Sequence, residues 1–394
     1  MLGSRSPISR AVVLALIALV LLAVSSAVSV TAQRLADGQA PRFAVDPFWP
    51  KPLPNRWLLG QVAGVATDAL DHVWIVQRPR TLTDDEKGAT LTPPRNECCV
   101  PAPPVMEFDA EGNLLQAWGG PRAGYDWPAN EHGIFVDGTG HVWLAGNGEK
   151  DNQVLKFSRD GRFQMQIGKP ASSGGDADTQ NLNRPADVRV DAAASEVYVA
   201  DGYGNHRVIV FDAATGAYKR HWGANGRPPG EASVKQFKNP VHCVRISTDG
   251  LVYVCDRSNN RIQVFKKDGT FVSEFTVAES TRGSGSVWDL DFSRDPAQSY
   301  LYAADGENNH VWLLARTTGK VLSRFARSGR YAGQLHWVHN MAVDSRGNIY
   351  TAEVDNAKRV LKLAYQGVFP VSDWPLLPLP QGRGQGEGVH PASR

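Results

Sequence analysis

One four-part pattern recurs six times between Val62 and Leu363, and it leaves few folds open to this chain. Each copy is a short apolar strand, a turn with Asp or Gly, and a second strand rich in Val, Tyr and Trp. A polar turn, a third strand, a D-G or T-G turn and a fourth strand follow. The second copy reads HGIFVDGTGHVWLAG then QVLKFSRDGRFQMQIG, and the third ADVRVDAAASEVYVADG then HRVIVFDAATGAYKRHWG. The fourth reads HCVRISTDGLVYVCDR then RIQVFKKDGTFVSEF. Copies five (Val287 to Phe325) and six (Val338 to Leu363) keep the order, and copy one runs from Val62-Ala63-Gly64 to Leu115-Gln116-Ala117-Trp118. A repeat of about 40 to 55 residues with four alternating strands is blade spacing, because such a unit cannot bury its faces alone and must stack against neighbours. The expected fold class is all-β, a six-bladed β-propeller over residues 61–370.

Copy six lacks an obvious fourth strand. Arg42-Phe43-Ala44-Val45, within an N-terminal segment spanning 33–60, could supply it and close the ring by joining the two ends of the chain. A Pro-rich polar insertion, Thr81 to Pro104, interrupts copy one and carries Cys98-Cys99. Residues 371–394 form a Pro- and Gly-rich polar tail. Residues 1–32 read as a signal peptide: Arg5 and Arg10 precede the apolar run Ala11 to Val24, and Val30 and Ala32 stand at a plausible cleavage site. The competing reading is an uncleaved anchor, since the apolar run nearly reaches spanning length. Cleavage leads to a secreted or periplasmic chain with no stable membrane span. The net charge of +2 and the scattered basic residues give no nucleic-acid stripe.

Aligning the repeats on the first strand gives a column of six residues: Ala63, His132, Ala186, His242, Trp288 and His339. The spacing to the turn glycine is the same from His132 to Gly140, His242 to Gly250 and His339 to Gly347. Alternate blades of a six-fold ring sit about 120° apart, and innermost strands line the axis, so the three histidines should converge there. Neutral imidazoles without thiolates suit zinc in an open three-histidine site. A lone histidine at a strand start is usually a core residue; three at one phase in alternate blades are hard to obtain by chance among ten.

A second column lies where the second strand ends, which antiparallel pairing returns to the mouth where the first begins. Arg78 and Arg257 stand there, with Tyr203 one position further on in copy three. Arginine suits a bidentate grip on a carboxylate, and tyrosine beside a metal suits acid–base work. The structural alternative pairs the arginines with aspartates such as Asp201 and Asp256.

The segments HGIFVD, RPADVRVD, VYVADGYGNHRVIVF, NPVHCVRI, VCDRSNNRIQVF and VHNMAVD resemble peptidyl-α-hydroxyglycine α-amidating lyase, a six-bladed propeller of NHL repeats. The resemblance covers about Val62 to Leu363. It implies zinc on His132, His242 and His339, a catalytic Tyr203 in D-G-Y, and active-site arginines at Arg78 and Arg257. It also implies the reaction: a peptidyl-α-hydroxyglycine is split to a peptide amide and glyoxylate. Zinc would activate the α-hydroxyl, Tyr203 would take its proton, and the arginines would hold the carboxylate of a small-molecule or peptide substrate. The family has an Asp after its last histidine that helps hold calcium. Asn340 stands there in this chain, and an amide oxygen can coordinate calcium but brings no charge. The family's disulfide cysteine after D-G-Y is replaced by Gly204.

Two other functions compete with the lyase. One is a non-catalytic propeller that binds a protein or glycan in the cell envelope through loops such as Thr81 to Pro104. The other is a calcium-dependent hydrolase of the gluconolactonase kind, whose carboxylate and Asn ligands differ from the histidine column here. If Thr248-Asp249-Gly250 is a hairpin loop, Cys243 falls opposite Cys255, which allows either a cross-strand disulfide or two buried thiols. Cys98 and Cys99 could bridge each other, pair elsewhere or stay reduced.

Overall fold

The computed structural model describes residues 38–371. The expected leader, 1–32, and all of the expected tail beyond residue 371 lie outside these residues. Six four-stranded antiparallel sheets account for the repeats. Blade 1 is Gln61–Thr67, Val73–Arg78, Val105–Phe108 and Leu114–Trp118. Blade 2 is Glu131–Val136, Val142–Gly146, Gln153–Phe157 and Phe163–Gly168, and blade 3 is Asp187–Asp191, Glu196–Asp201, Arg207–Asp212 and Tyr218–Trp222. Blade 4 is Val241–Ile246, Leu251–Asp256, Arg261–Lys266 and Phe271–Thr276. Blade 5 is Asp289–Phe292, Tyr300–Asp305, His310–Ala315 and Val321–Phe325. Blade 6 is Val338–Val343, Ile349–Glu353 and Arg359–Pro370, completed by Gln39–Asp46.

That last strand is the one the sixth repeat lacks, and it contains Arg42–Val45. It pairs antiparallel with Arg359–Pro370 from Gln39↔Pro370 to Asp46↔Lys362. Phe43 fixes it by packing 4.8 Å from the Phe325 ring and 5.6 Å from the Tyr302 ring of blade 5. First strands of successive blades are neighbours around the whole ring, including blade 6 against blade 1.

The core is distributed rather than central. Six clusters of buried apolar side chains lie one at each seam between adjacent blades, each drawing residues from both. Val, Ile, Leu and aromatic residues of the two inner strands alternate faces, so each blade contributes to the seam on either side. Sheet-on-sheet packing of this kind gains its burial only when the neighbouring blade is present, which makes closure of the ring energetically consequential.

The insertion folds back on blade 1. Trp57–Leu58 pairs in parallel with Val100–Pro101, Arg56 donates to the Glu97 carbonyl at 2.7 Å, and Lys358 of blade 6 donates to the Thr81 carbonyl at 2.9 Å. Cys98 and Cys99 are bridged to each other, and Cys243 is bridged to Cys255 directly opposite it in blade 4. The loop at Thr248–Gly250 is the hairpin expected, with Ser247 N–H donating to the Leu251 carbonyl at 2.9 Å. Among the described residues no helix is long and apolar enough to cross a membrane.

Candidate metal centre at the propeller axis

His132, His242 and His339 enter the axis from blades 2, 4 and 6, and a ring nitrogen of each lies within 4.8 Å of the other two. Each sits at a local irregularity of its strand. In blade 4 Val241 pairs with Asp256 and Cys243 with Cys255, so His242 has no cross-strand partner; His339 is skipped in the same way between Val338 and Asn340. The register of blade 2 also breaks between Glu131 and Ile134, around His132. A β-bulge bends the strand and re-aims the unpaired side chain, here toward the axis.

The histidines are held by the blades between them. The Nδ1 of His132 contacts the Ala186 carbonyl at 2.8 Å, that of His339 the Ala63 carbonyl at 2.6 Å, and that of His242 the Trp288 carbonyl. Ala186, Ala63 and Trp288 are the column residues of blades 3, 1 and 5, so donors and acceptors alternate around the ring. A carbonyl can only accept, so each Nδ1 carries the proton and each Nε2 keeps its lone pair. Burial pushes all three imidazoles well below their ordinary pKa, His339 to about 3, and the neighbouring cationic groups add to this. The result is three neutral imidazoles with second nitrogens fixed by the backbone, the orientation that histidine ligands of metals share.

Tyr203 follows Gly202 after the second strand of blade 3. A Cβ on Gly202 would lie 2.0 Å from the Val241 carbonyl oxygen, so the D-G-Y turn reaches the axis only with glycine there. The Tyr203 hydroxyl lies 3.0 Å from His132 Nε2 and 3.1 Å from His242 Nε2. Its single proton can satisfy one of these lone pairs; a cation among the three nitrogens would satisfy them all. The donor set therefore fits a borderline metal ion such as zinc.

Arg78 and Arg257 reach the same mouth, and the pairing with Asp201 and Asp256 is absent. Those aspartates are bound instead by Arg207, at 2.9 Å, and Arg261, at 2.6 Å. Neither Arg78 nor Arg257 has an ion-pair partner among the described residues, although they are only 7% and 9% exposed. Arg78 donates from Nε to the Glu131 carbonyl at 2.7 Å and from Nη1 to Gln61 Oε1 at 3.0 Å. Burial lowers its pKa to about 10. Arg257 lies with Cζ 4.4 Å from the Trp288 ring centroid, donates to the Tyr203 hydroxyl at 3.3 Å, and has an unpartnered buried Nε. Two buried guanidiniums without carboxylates make this mouth attractive to an anion. The Glu131 carbonyl, Gln61 and Trp288 hold the arginines, and for Gln61 and Glu131 no repeat position signals it.

Asn340 is committed elsewhere. Its Oδ1 accepts from Val65 N–H at 2.7 Å and its Nδ2 donates to Asp289 at 2.6 Å. The carboxylates at that level, Asp187 and Asp289, flank the guanidinium of Arg245. These residues do not fit a calcium ion, which needs six to eight free oxygens. At Gly204 a Cβ would lie 2.1 Å from the Asn183 side chain, so a cysteine there would require Asn183 to move.

Comparison with known proteins agrees with this fold. NHL repeats match residues 182–211 and 241–265. NHL repeat-containing protein 3 of Mus musculus is 27% identical over 335 residues, covering 82% of this chain and 84% of that protein. A probable peptidyl-alpha-hydroxyglycine alpha-amidating lyase of Caenorhabditis elegans is 24% identical, covering 77% of this chain and 83% of that protein. Peptidyl-glycine alpha-amidating monooxygenase B of Xenopus laevis is 28% identical over 56% of this chain but only 25% of its own length. Among solved structures, a Bacteroides thetaiotaomicron protein of unknown function superposes with TM-score 0.54 at 14% identity, over 83% of this chain and 76% of that one. A streptogramin B lyase superposes with TM-score 0.50 at 12% identity, over 82% and 98%. At these identities the structural matches speak for the fold alone.

Proposed function

We propose that this NHL-repeat propeller is an exported, zinc-dependent carbon–nitrogen lyase that splits an α-hydroxyglycine-type substrate into an amide and glyoxylate. One observation carries the reading: three buried, backbone-pinned Nε2 lone pairs share a mouth with a tyrosine hydroxyl and two buried arginines that lack carboxylates. The likeness to the Caenorhabditis elegans lyase supports it from sequence. Zinc held by His132, His242 and His339 supplies Lewis acidity toward a substrate oxygen when bound.

The chain's own groups do the rest. Arg78 and Arg257 hold the substrate carboxylate and stabilise the charge that stays on it. Tyr203 takes the α-hydroxyl proton and returns one to the leaving amide nitrogen as the C–N bond breaks and the carbonyl forms, so the overall reaction is balanced without water or redox change. Trp288 backs Arg257 and keeps its charge at the mouth. Two disulfides suit an oxidising compartment and support export. The test is glyoxylate release from a short peptidyl α-hydroxyglycine by the zinc-loaded protein.

The likeness to NHL repeat-containing protein 3, whose name states no reaction, favours a second reading, a propeller that binds an envelope protein or glycan through the 81–104 insertion. Deleting that insertion separates the two: the binding function would be lost, whereas a lyase with an intact axial site would keep turnover.

A further inference from the structure

The far end of the central channel, opposite the histidines, opens into a cavity of about 180 Å³. Its charged lining is three arginines, Arg189, Arg245 and Arg294, and one carboxylate, Asp291. Two have carboxylate partners. Arg245 is held between Asp187 and Asp289, and Arg294 meets Asp291 at 3.3 Å. Arg189 has none within ion-pair distance among the described residues, although it is only 9% exposed. Its one hydrogen bond runs from Nη1 to the Val188 carbonyl at 3.4 Å, and its Cζ lies 4.7 Å from the Phe135 ring centroid. Burial first, and then the nearby Arg245, bring its pKa down to about 10, against the opposing pull of Asp187, Asp289 and Asp291, which lie beyond ion-pair distance.

A second donor faces the same space. Gln298 is 5% exposed, and its Oε1 accepts from Thr248 N–H at 2.8 Å and Thr248 Oγ1 at 3.0 Å. Among the described residues its amide nitrogen has no hydrogen-bond partner. A buried guanidinium that no carboxylate touches favours an anion able to reach it. A planar guanidinium matches two carboxylate oxygens, and Phe135 and Ala342 give the cavity apolar wall for a short hydrocarbon body.

We infer that this rear vestibule is a binding site for a small monocarboxylate, gripped by Arg189 with a supporting hydrogen bond from Gln298. Arg245 and its two aspartates lie between this site and the histidines, so binding needs no metal. The inference does not depend on the reaction assigned to the front mouth.

The probe is sodium propionate, titrated calorimetrically into the full mature chain bearing Arg78→Met and Arg257→Met, in the presence of chelator. These substitutions silence the front mouth as an anion site. Propionate binding should persist in this background, and adding Arg189→Met should weaken it by about tenfold or more, the scale of a lost charge-assisted bidentate contact. Gln298→Glu keeps the acceptor for Thr248 but turns the donor into a repelling carboxylate. It should weaken binding as well, and it decides the question if Arg189→Met fails to fold. No propionate binding in the front-silenced protein would overturn the inference. So would a dissociation constant indifferent to both rear substitutions, or tighter binding of sulfate than of propionate.

Discussion

Replacing Tyr203 with phenylalanine separates catalysis from metal binding more cleanly than any other single change. The substitution removes one oxygen, which lies 3.0 and 3.1 Å from two histidine nitrogens and 3.3 Å from Arg257 Nη1. It leaves the ligand set alone, because each histidine is oriented by a backbone carbonyl and not by the tyrosine. Loss of a positioned general base typically costs about 10²- to 10⁴-fold in rate. At about 1.36 kcal/mol per decade that is about 2.7 to 5.4 kcal/mol of transition-state stabilisation. The expected signature is a fall in kcat of that size with KM little changed, since Arg78 and Arg257 still hold the carboxylate. Zinc content by mass spectrometry and glyoxylate release on the same preparation read both quantities. Full turnover in Tyr203→Phe would remove the tyrosine from the mechanism, and loss of zinc would mean that it acts on the ligands instead.

Other perturbations test the frame around the site. His242→Ala removes one of three ligands and should leave the purified protein without bound zinc; unchanged metal content would refute the triad. Deleting Gln39–Asp46 leaves blade 6 with an open edge and strips Phe43 from Tyr302 and Phe325. The melting temperature should fall and zinc content with it, because His339 lies on that blade; unchanged melting would contradict ring closure by the N-terminal strand. Glu353 is buried against Arg359 at 3.0 Å, and burial raises its carboxyl to about 7. A carboxyl raised above its unfolded value retains a proton in the folded state that the unfolded chain has released, so stability falls as pH rises until the folded pKa is passed. Arg359→Met removes the opposing cation and moves that pKa higher. The variant should lose about 1 kcal/mol more than the parent between pH 7 and 8 in chemical denaturation, and parallel pH profiles would exclude this coupling.

The ring and its histidines were legible because both are periodic. Six copies announced the blades, and one shared distance to a turn glycine marked His132, His242 and His339 as equivalent. What makes them ligands was not legible. The bulge that turns each toward the axis is a backbone irregularity, and the acceptors that fix their tautomer are carbonyls, which every residue possesses. The role of the arginines was half legible. Asp201 faces Arg207, Asp256 faces Arg261 and Glu353 faces Arg359 across the second and third strands of three blades. That recurring acid-then-arginine pairing, five or six residues apart, reserves those carboxylates, and it could have freed Arg78 and Arg257 from the structural reading. Arg245 was hidden for a different reason. Its partners Asp187 and Asp289 come from two other blades, and only the closed ring brings the three together.

Metal content and glyoxylate release, measured on one preparation of the wild-type chain before chelation, after it and after zinc is restored, bear most directly on the central claim. The account predicts about one zinc per chain, the stoichiometry of a three-histidine site. It further predicts that glyoxylate release disappears with the metal and returns with it. Release that survives chelation, or a zinc-loaded protein that releases no glyoxylate, would contradict it.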